Sequence, residues 1–482
     1  MAGVVVIGGG IAGLGTALAL SRVGQQTVTV LERDAAPLPD DPEEAFGRWP
    51  RSGAPQVRHS HAFLARLHNL LRDRAPDVLA GLRAAGATDL SFTDPLPATL
   101  DDRSPQPGDE QLVALACRRT TFEWVLRKAV LAQSGVRFVD GAAVAGIAFD
   151  GDRATGVRLE DGTTIGGELV VDASGRRSGL PRWLAEAQRR PLDEVTDDCG
   201  VVYCTRFYRL RSRADAPAQA GITFGDSGYV KFAVFPGDGG AFSVTFAISS
   251  DDEALRALTS PRAFDAAVAC FPALQAWVDR ADPLTGVETM AGLVNRRRRL
   301  VVDGEPVVNG MVTVGDAAVC TNPLYGRGCS LAMVHAYALA DLLATTGSAA
   351  APGTPEMAIA FDAVTRTELE PWYEAALMQD RAMRRRPRPA EPAGAATSPP
   401  DADDMAASLL RDGVMAATRT DAKVYRAFLR TLNLLDPPAA MMQDPDIVAR
   451  VMAVWQDREN RPRPERVAPR RAEFIAAIAD AA

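Results

Sequence analysis

An α/β architecture is predicted, with a parallel dinucleotide-binding sheet, an inserted antiparallel sheet and C-terminal helices. Three observations predict it. A β-branched run (Gly3–Ile7), a glycine cluster and an Ala/Leu-rich helix (Leu14–Val23) open the chain, and a second strand, Thr27–Leu31, completes a βαβ unit. Alternating segments at Val201–Leu210, Tyr229–Phe235 and Ala241–Ile248 suggest an antiparallel sheet in mid-chain. A buried strand near Met311–Val314, with glycines and a helix from about Ser330 to Thr345 after it, returns the chain to its first sheet.

The 482 residues exceed one hydrophobic core, and 47% hydrophobic with 24% charged residues is ordinary for a globular protein. A net charge of -8 removes a general basic footprint, so no nucleic-acid partner is expected. The local run Arg296–Arg299 is read as a salt-bridged or solvated strand end. Six scattered cysteines without a CxxC pair, and four histidines, argue against a metal site or disulfide framework. Met1 leads straight into a strand, and no membrane span is expected, since no stretch reads as about 18 uncharged apolar residues. A cytoplasmic protein is the expectation.

Between the two halves, Phe63–Arg74 and Thr120–Ala132 read as helices. Ala143–Phe149, Ala154–Leu159 and Thr164–Val171 form a meander turning at Asp150–Asp152 and at Asp161–Gly162. Beyond the last strand, Arg384–Asp403 reads as a Pro-rich linker, and Met405–Leu435 and Asp444–Trp455 as helices. The expected domains are a first nucleotide-binding part (1–185), a substrate domain (186–299), a second nucleotide-binding part (300–345), a helical stretch (346–383), the linker (384–403) and a C-terminal helical region (404–482).

Gly8-Gly9-Gly10-Ile11-Ala12-Gly13 contains G-x-G-x-x-G between strand and helix. Gly8 permits the tight turn, Gly10 lets a pyrophosphate approach, and Gly13 lets helix and strand pack; the N–H groups at Ile11 and Ala12 belong to the helix end that faces phosphates. Glu32, with Arg33 after it, ends the second strand, where an acid binds ribose hydroxyls. This motif leaves NAD and FAD both open.

Downstream, Val312-Thr313-Val314-Gly315-Asp316 precedes Asn322-Pro323 and Gly326-Arg327-Gly328. This resembles the second FAD fingerprint of the flavoprotein monooxygenases typified by para-hydroxybenzoate hydroxylase. The resemblance implies a Rossmann-type FAD domain, Asp316 on the ribityl chain, and the helix start around Pro323, Gly326 and Gly328 facing the flavin pyrimidine. It spans roughly residues 3–345. Arg119 is implied to reach the ribityl-phosphate region. Asp172-Ala-Ser-Gly-Arg-Arg-Ser178 is similar to a family turn that usually carries Asp-Gly where Ser174-Gly175 stands here. Asp172 then either contacts cofactor or caps the turn.

Pro55-Gln-Val-Arg-His-Ser-His61, Tyr203-Cys-Thr-Arg206 and Asn295-Arg-Arg297 resemble a subgroup containing the flavin epoxidases of polyether antibiotic pathways. That adds Arg58 to the cofactor set and leaves His59 and His61 as flavin or substrate contacts or structural residues. The isoalloxazine is expected between the two domains, walled by Val201–Leu210. Flavin halogenases carry W-x-W-x-I-P, whereas no two tryptophans here stand two apart, which points away from halogenation.

The implied activity is oxygenation, by hydroxylation or epoxidation, of a small, largely apolar molecule through a flavin C4a-hydroperoxide, with O2 as co-substrate. Secondary metabolism is the implied setting. Electrons would come from NAD(P)H or from flavin reduced by a separate flavin reductase. No catalytic side chain is assigned. An FAD-dependent reductase or dehydrogenase of an isoprenoid-like substrate is the alternative, and a non-catalytic flavin-binding protein the second alternative.

Overall fold

A computed structural model of the chain describes residues 2–24, 26–217, 223–345, 351–384, 402–462 and 468–481. Its centre is a parallel sheet ordered Met311–Thr313, Leu169–Asp172, Ala2–Ile7, Gln26–Glu32 and Val136–Asp140. Both faces are covered, which suits uninterrupted Val/Ile runs. Val4, Val6, Val28 and Val30 point into a core shared with Leu14, Leu18, Met333 and Ala336. Val5, Ile7, Leu31 and Val170 point the other way, onto Ile147, Val157 and Trp183.

The helices Ile11–Arg22 and Gly328–Thr345 pack against each other on the first face. Gly328–Thr345, although it carries Asp341, is long and apolar enough to cross a membrane by length and composition. Its composition has another cause, because 67% of it is buried inside the fold, where a core helix is apolar on most sides.

The antiparallel sheet runs Thr223–Asp226, Val230–Pro236, Ala241–Ser249, Val201–Leu210 and Ala281–Pro283, with Glu288–Met290 also on Val201–Leu210. Strand alternation gives it two unlike faces. Cys204, Tyr208, Val244, Phe246 and Ile248 meet Phe264, Phe271 and the C-terminal Phe474 in a second core. Tyr203, Thr205, Ser243 and Thr245 face the other way, Thr205 directly opposite Thr245.

Thr164–Val171 is not one strand: Thr164–Gly166 stays in the meander, while Leu169–Asp172 crosses to the parallel sheet. The break falls at Gly166-Gly167, where a Cβ on Gly167 would lie 2.8 Å from Val5 Cγ2. Met405–Leu435 is likewise divided, with a turn before Asp421, which caps Ala422–Leu432 through its carboxylate. Arg296–Arg299 lies in a strand whose partner is the acidic Asp193–Asp198, and Arg297, Arg298 and Arg299 pair with Asp193, Glu194 and Glu370. The anticipated linker lies outside the described residues, apart from Arg384, which ends a helix, and Ala402–Asp403.

Candidate functional site

The first strand ends in a glycine turn that tolerates no side chain. Gly8 has φ +105°, and a Cβ there would meet Ala173 O at 2.8 Å. A Cβ on Gly13 would fall 1.8 Å from Gly8 O, so helix and turn interlock only with glycine. Gly10, by contrast, faces open space, and no side chain caps the helix that follows. Its first N–H groups and positive dipole end are thus available to an anion. Ile11 and Ala12 are buried, so their side chains pack while their backbone serves the turn.

Glu32 is more engaged than its position in sequence suggests. Its carboxylate accepts Gly9 N–H at 3.0 Å, Asp34 N–H at 3.0 Å and Arg51 Nη1 at 3.1 Å. Arg51 also donates to Gly9 O and pairs with Glu123, which in turn lies 3.5 Å from Arg119 Nη2. Arg51 and Glu123 went unnoticed in the sequence; each stands alone there, and only folding brings them under the turn. Arg33 is exposed and lies over Gly53.

The turn after Leu169–Asp172 packs beside Gly315–Ala317. Asp172 is fully buried and accepts from Ser174 N–H at 3.0 Å and from the hydroxyls of Ser174 and Ser178 at 2.5 Å, so of the two roles left open the structure displays the cap. Asp316 is half-buried and has no hydrogen-bond partner among the described residues. Burial pushes its carboxyl pKa up, against the pull of Arg119 and Arg176. Gly328 opens its helix beside it: a Cβ there would lie 3.7 Å from Asp316 Oδ1. Gly315 donates its N–H to His335 Nδ1 at 3.2 Å. That nitrogen must be unprotonated, so Nε2–H donates to Thr365 Oγ1 at 2.9 Å.

The loop carrying Pro323 and Gly326 is anchored from behind by Asp380. This buried carboxylate accepts from Asn295 (2.6 Å), Asn322 (2.8 Å) and Tyr325 (2.9 Å), while Tyr203 donates to Asn322 Oδ1 at 2.7 Å. Gly326 has φ +65°, and a Cβ there would press on Ala62, so this loop leans on the segment containing His59 and His61. Arg327 is buried between Tyr325 and Trp372, and burial lowers its pKa to about 10.

Along the antiparallel sheet hydroxyls bond to hydroxyls. Thr205 bonds Thr245 at 2.9 Å, and Ser60 reaches Thr245 at 2.5 Å and Ser243 at 2.7 Å. His59 Nδ1 lies 3.2 Å from Thr205 Oγ1, and burial and the Arg176 charge hold its pKa down to about 4. His61 Nδ1–H donates to His59 O at 3.0 Å, turning its lone pair to Arg119 Nη1 at 3.3 Å; burial and Arg119 lower its pKa to about 3. Both are neutral at pH 7. Arg58 stacks over Phe46. Among the described residues no group of acids, histidines and cysteines could hold a metal ion.

The open helix start at Gly10, the unpartnered Asp316 beside Gly328 and the buried Arg119 Nε without a partner fit the pyrophosphate and ribityl parts of FAD. Comparison with known families agrees. The model of FAD dependent oxidoreductases matches residues 3–112, and that of the tryptophan halogenases matches residues 97–386. The chain belongs to the tryptophan halogenase family. As kinship, this corrects the separation drawn from the missing W-x-W-x-I-P signature: a short motif is lost more easily than the pattern of core and glycine positions behind a fold.

The chain resembles proteins of differing activity. It is 28% identical to Protein Rv3254 of Mycobacterium tuberculosis, covering 97% of each chain. It is 27% identical to the menaquinone reductase of Mycolicibacterium smegmatis, covering 72% of this chain and 77% of that one. In fold it is similar to the myxobacterial chondrochloren halogenase CndH (TM-score 0.59, 18% identity, 100% of this chain and 96% of that one). It is similar also to PqsL, a probable FAD-dependent monooxygenase from Pseudomonas aeruginosa (0.58, 17%, 80% and 97%).

Proposed function

We propose that this FAD-dependent oxidoreductase is a monooxygenase that hydroxylates or epoxidises a small, largely apolar molecule between the parallel sheet and the hydroxyl face of the antiparallel sheet. Bound FAD would supply the electrons and the activation of O2. Glu32, Arg119, Asp316 and the helix starts at Gly10 and Gly328 would hold it. The observation that carries oxygenation is the state of the groups facing this space. The hydroxyls of Thr205, Thr245, Ser243 and Ser60 are bonded to one another, His59 and His61 are neutral, and Tyr203 is committed to Asn322. Burial also keeps the Tyr203 phenol protonated. Reducing a carbon–carbon double bond needs a proton delivered to the second carbon; here the hydroxyls are tied to one another and Tyr203 to Asn322, and the two histidines, with pKa values of about 4 and about 3, carry no additional proton at neutral pH. Oxygen transfer asks the protein mainly to orient substrate and exclude water.

A reductase of an isoprenoid-like substrate is the second reading, favoured by the identity with the menaquinone reductase. Purified protein should be yellow and release FAD on denaturation; FMN or no flavin defeats both. Oxygen uptake matched by a product heavier by one oxygen atom supports oxygenation. A product heavier by two hydrogens supports reduction, and halide in the product supports halogenation. For electrons, a separate flavin reductase is preferred, on the Ser174-Gly175 departure; fast, saturable anaerobic reduction by NADH or NADPH defeats that preference.

A further inference from the structure

Arg176 is the tip of the Asp172–Ser178 turn and is used by nothing described so far. Asp172, Ser174 and Ser178 bond among themselves, and Arg296 Nη1 donates to Arg176 O at 2.7 Å, so the backbone beneath the side chain is fixed. The guanidinium is half-buried and reaches across to the antiparallel sheet, where both Nη atoms lie 3.9 Å from Met290 Sδ. A thioether is a weak acceptor for a group with five N–H donors. No carboxylate pairs with Arg176 among the described residues. Arg51, Arg118, Arg119 and Arg296, by contrast, all face Asp or Glu. The Arg176 charge reaches the space between the sheets, since it bears on both His59 and Asp316. An arginine fork held on a fixed turn, partly desolvated and with no carboxylate within ion-pair distance, is suited to bidentate recognition of an oxyanion.

We propose that Arg176 is the anion-recognising residue of the substrate cavity, so that the substrate is a largely apolar molecule bearing a carboxylate or an ionised enol or phenol. This rests on the reading that substrate lies between the two sheets beside bound FAD. A nicotinamide dinucleotide offers the same oxyanion chemistry through its phosphates, and the test separates the two.

The FAD-loaded protein is titrated with benzoate and, separately, with its neutral analogue benzamide, following the visible flavin spectrum, in wild type, R176M and R176K. NADPH affinity is read in parallel from anaerobic reduction. R176M should keep its FAD, weaken benzoate by about tenfold or more and leave benzamide within about twofold, with R176K in between. Equal loss for both probes, no change for either, loss of NADPH affinity alone, or loss of FAD from R176M would each overturn the proposal. Failure of the broader reading shows in the wild type instead, as a protein without FAD.

Discussion

At the glycine turn charge meets charge: Glu32 and Glu123 enclose Arg51, and Arg119 closes the set. At the hydroxyl face of the antiparallel sheet carboxylates give way to hydroxyls bonded to hydroxyls, His59 and His61 are neutral, and Arg176, reaching over from the facing turn, has no carboxylate within ion-pair distance among the described residues. The first region is a preorganised cradle whose ions are satisfied before any ligand arrives, apart from the helix N–H groups. The second is a low-charge chamber in which a bound molecule's own charge would dominate. On the proposed reading, the difference teaches where specificity would reside: phosphates would be met by backbone, and substrate by a nearly neutral wall and the Arg176 cation.

The cradle side of this contrast is broken most directly by Arg51→Met. Buried Glu32 then loses its cation and Glu123 keeps only Arg119, a change of the kind that costs about 3–5 kcal/mol. Urea unfolding should show a loss of that size together with weakened FAD binding. A loss below about 1 kcal/mol would mean that the carboxylates find other partners and that the cradle is not held by charge. Glu32→Ala carries a related warning, since it frees Gly9 N–H and Arg51 as well as any ribose hydroxyl, so lost FAD affinity there reports the turn as much as the contact.

Asp380→Ala tests the support behind the Asn322–Gly326 loop. Asn295, Asn322 and Tyr325 would each lose an acceptor, and unpaired buried donors cost about 1–3 kcal/mol apiece, partly relieved by relaxation. Expected are a stability loss of about 2–4 kcal/mol and a red-shifted or weakened FAD complex. Intact FAD affinity in a destabilised variant would show that the network serves the fold and not the loop.

The cradle was legible because its parts are local. Gly8, Gly10, Gly13 and Glu32 lie within one βαβ unit, and each answers a backbone requirement readable from the glycine itself. Gly315 and Asp316 were legible through resemblance, because the same strand–turn–helix logic repeats there. Asp380, Glu123 and Arg51 were not, since a lone charged residue in a helix or loop reads as solvated surface until the fold buries it. The hydroxyl wall was half visible: alternation marked Val201–Leu210 and Ala241–Ile248 as strands but could not say which face the threonines would take, because register decides that.

All four histidines have depressed pKa values, His59 and His61 in the chamber and His68 and His335 outside it, which gives the fold a pH signature. His59 titrates at about 4, and His61 and His335 at about 3, against about 6.5 in an unfolded chain. A lowered folded-state value means that the unfolded chain binds protons first as pH falls. Their contribution is complete above about pH 6.5 and is lost progressively toward pH 4 and below. The thermal midpoint should therefore drop between pH 6.5 and 5, where most carboxylates stay ionised. His59→Gln should flatten that slope; an unchanged slope would remove His59 from the account.

The smallest effect is expected from Thr205→Val, and it measures the chamber on its own scale. Valine keeps the shape and the strand preference of threonine while deleting one hydroxyl. His59 Nδ1 and Thr245 Oγ1 each lose a partner, yet Thr245 retains Ser60, so the loss should be about 1 kcal/mol. Thr245→Val should cost somewhat more, since it strips both Thr205 and Ser60. The double variant should cost less than the sum, because removing both members of a bonded pair leaves no orphan between them. Denaturant unfolding of the two single variants and the double gives the coupling directly. FAD affinity should be unchanged throughout, because none of these hydroxyls belongs to the cradle. Should Thr205→Val instead cost as much as Arg51→Met, His59 must be carrying charge in the folded protein, and the neutral chamber would have to be redrawn as a second ionic site.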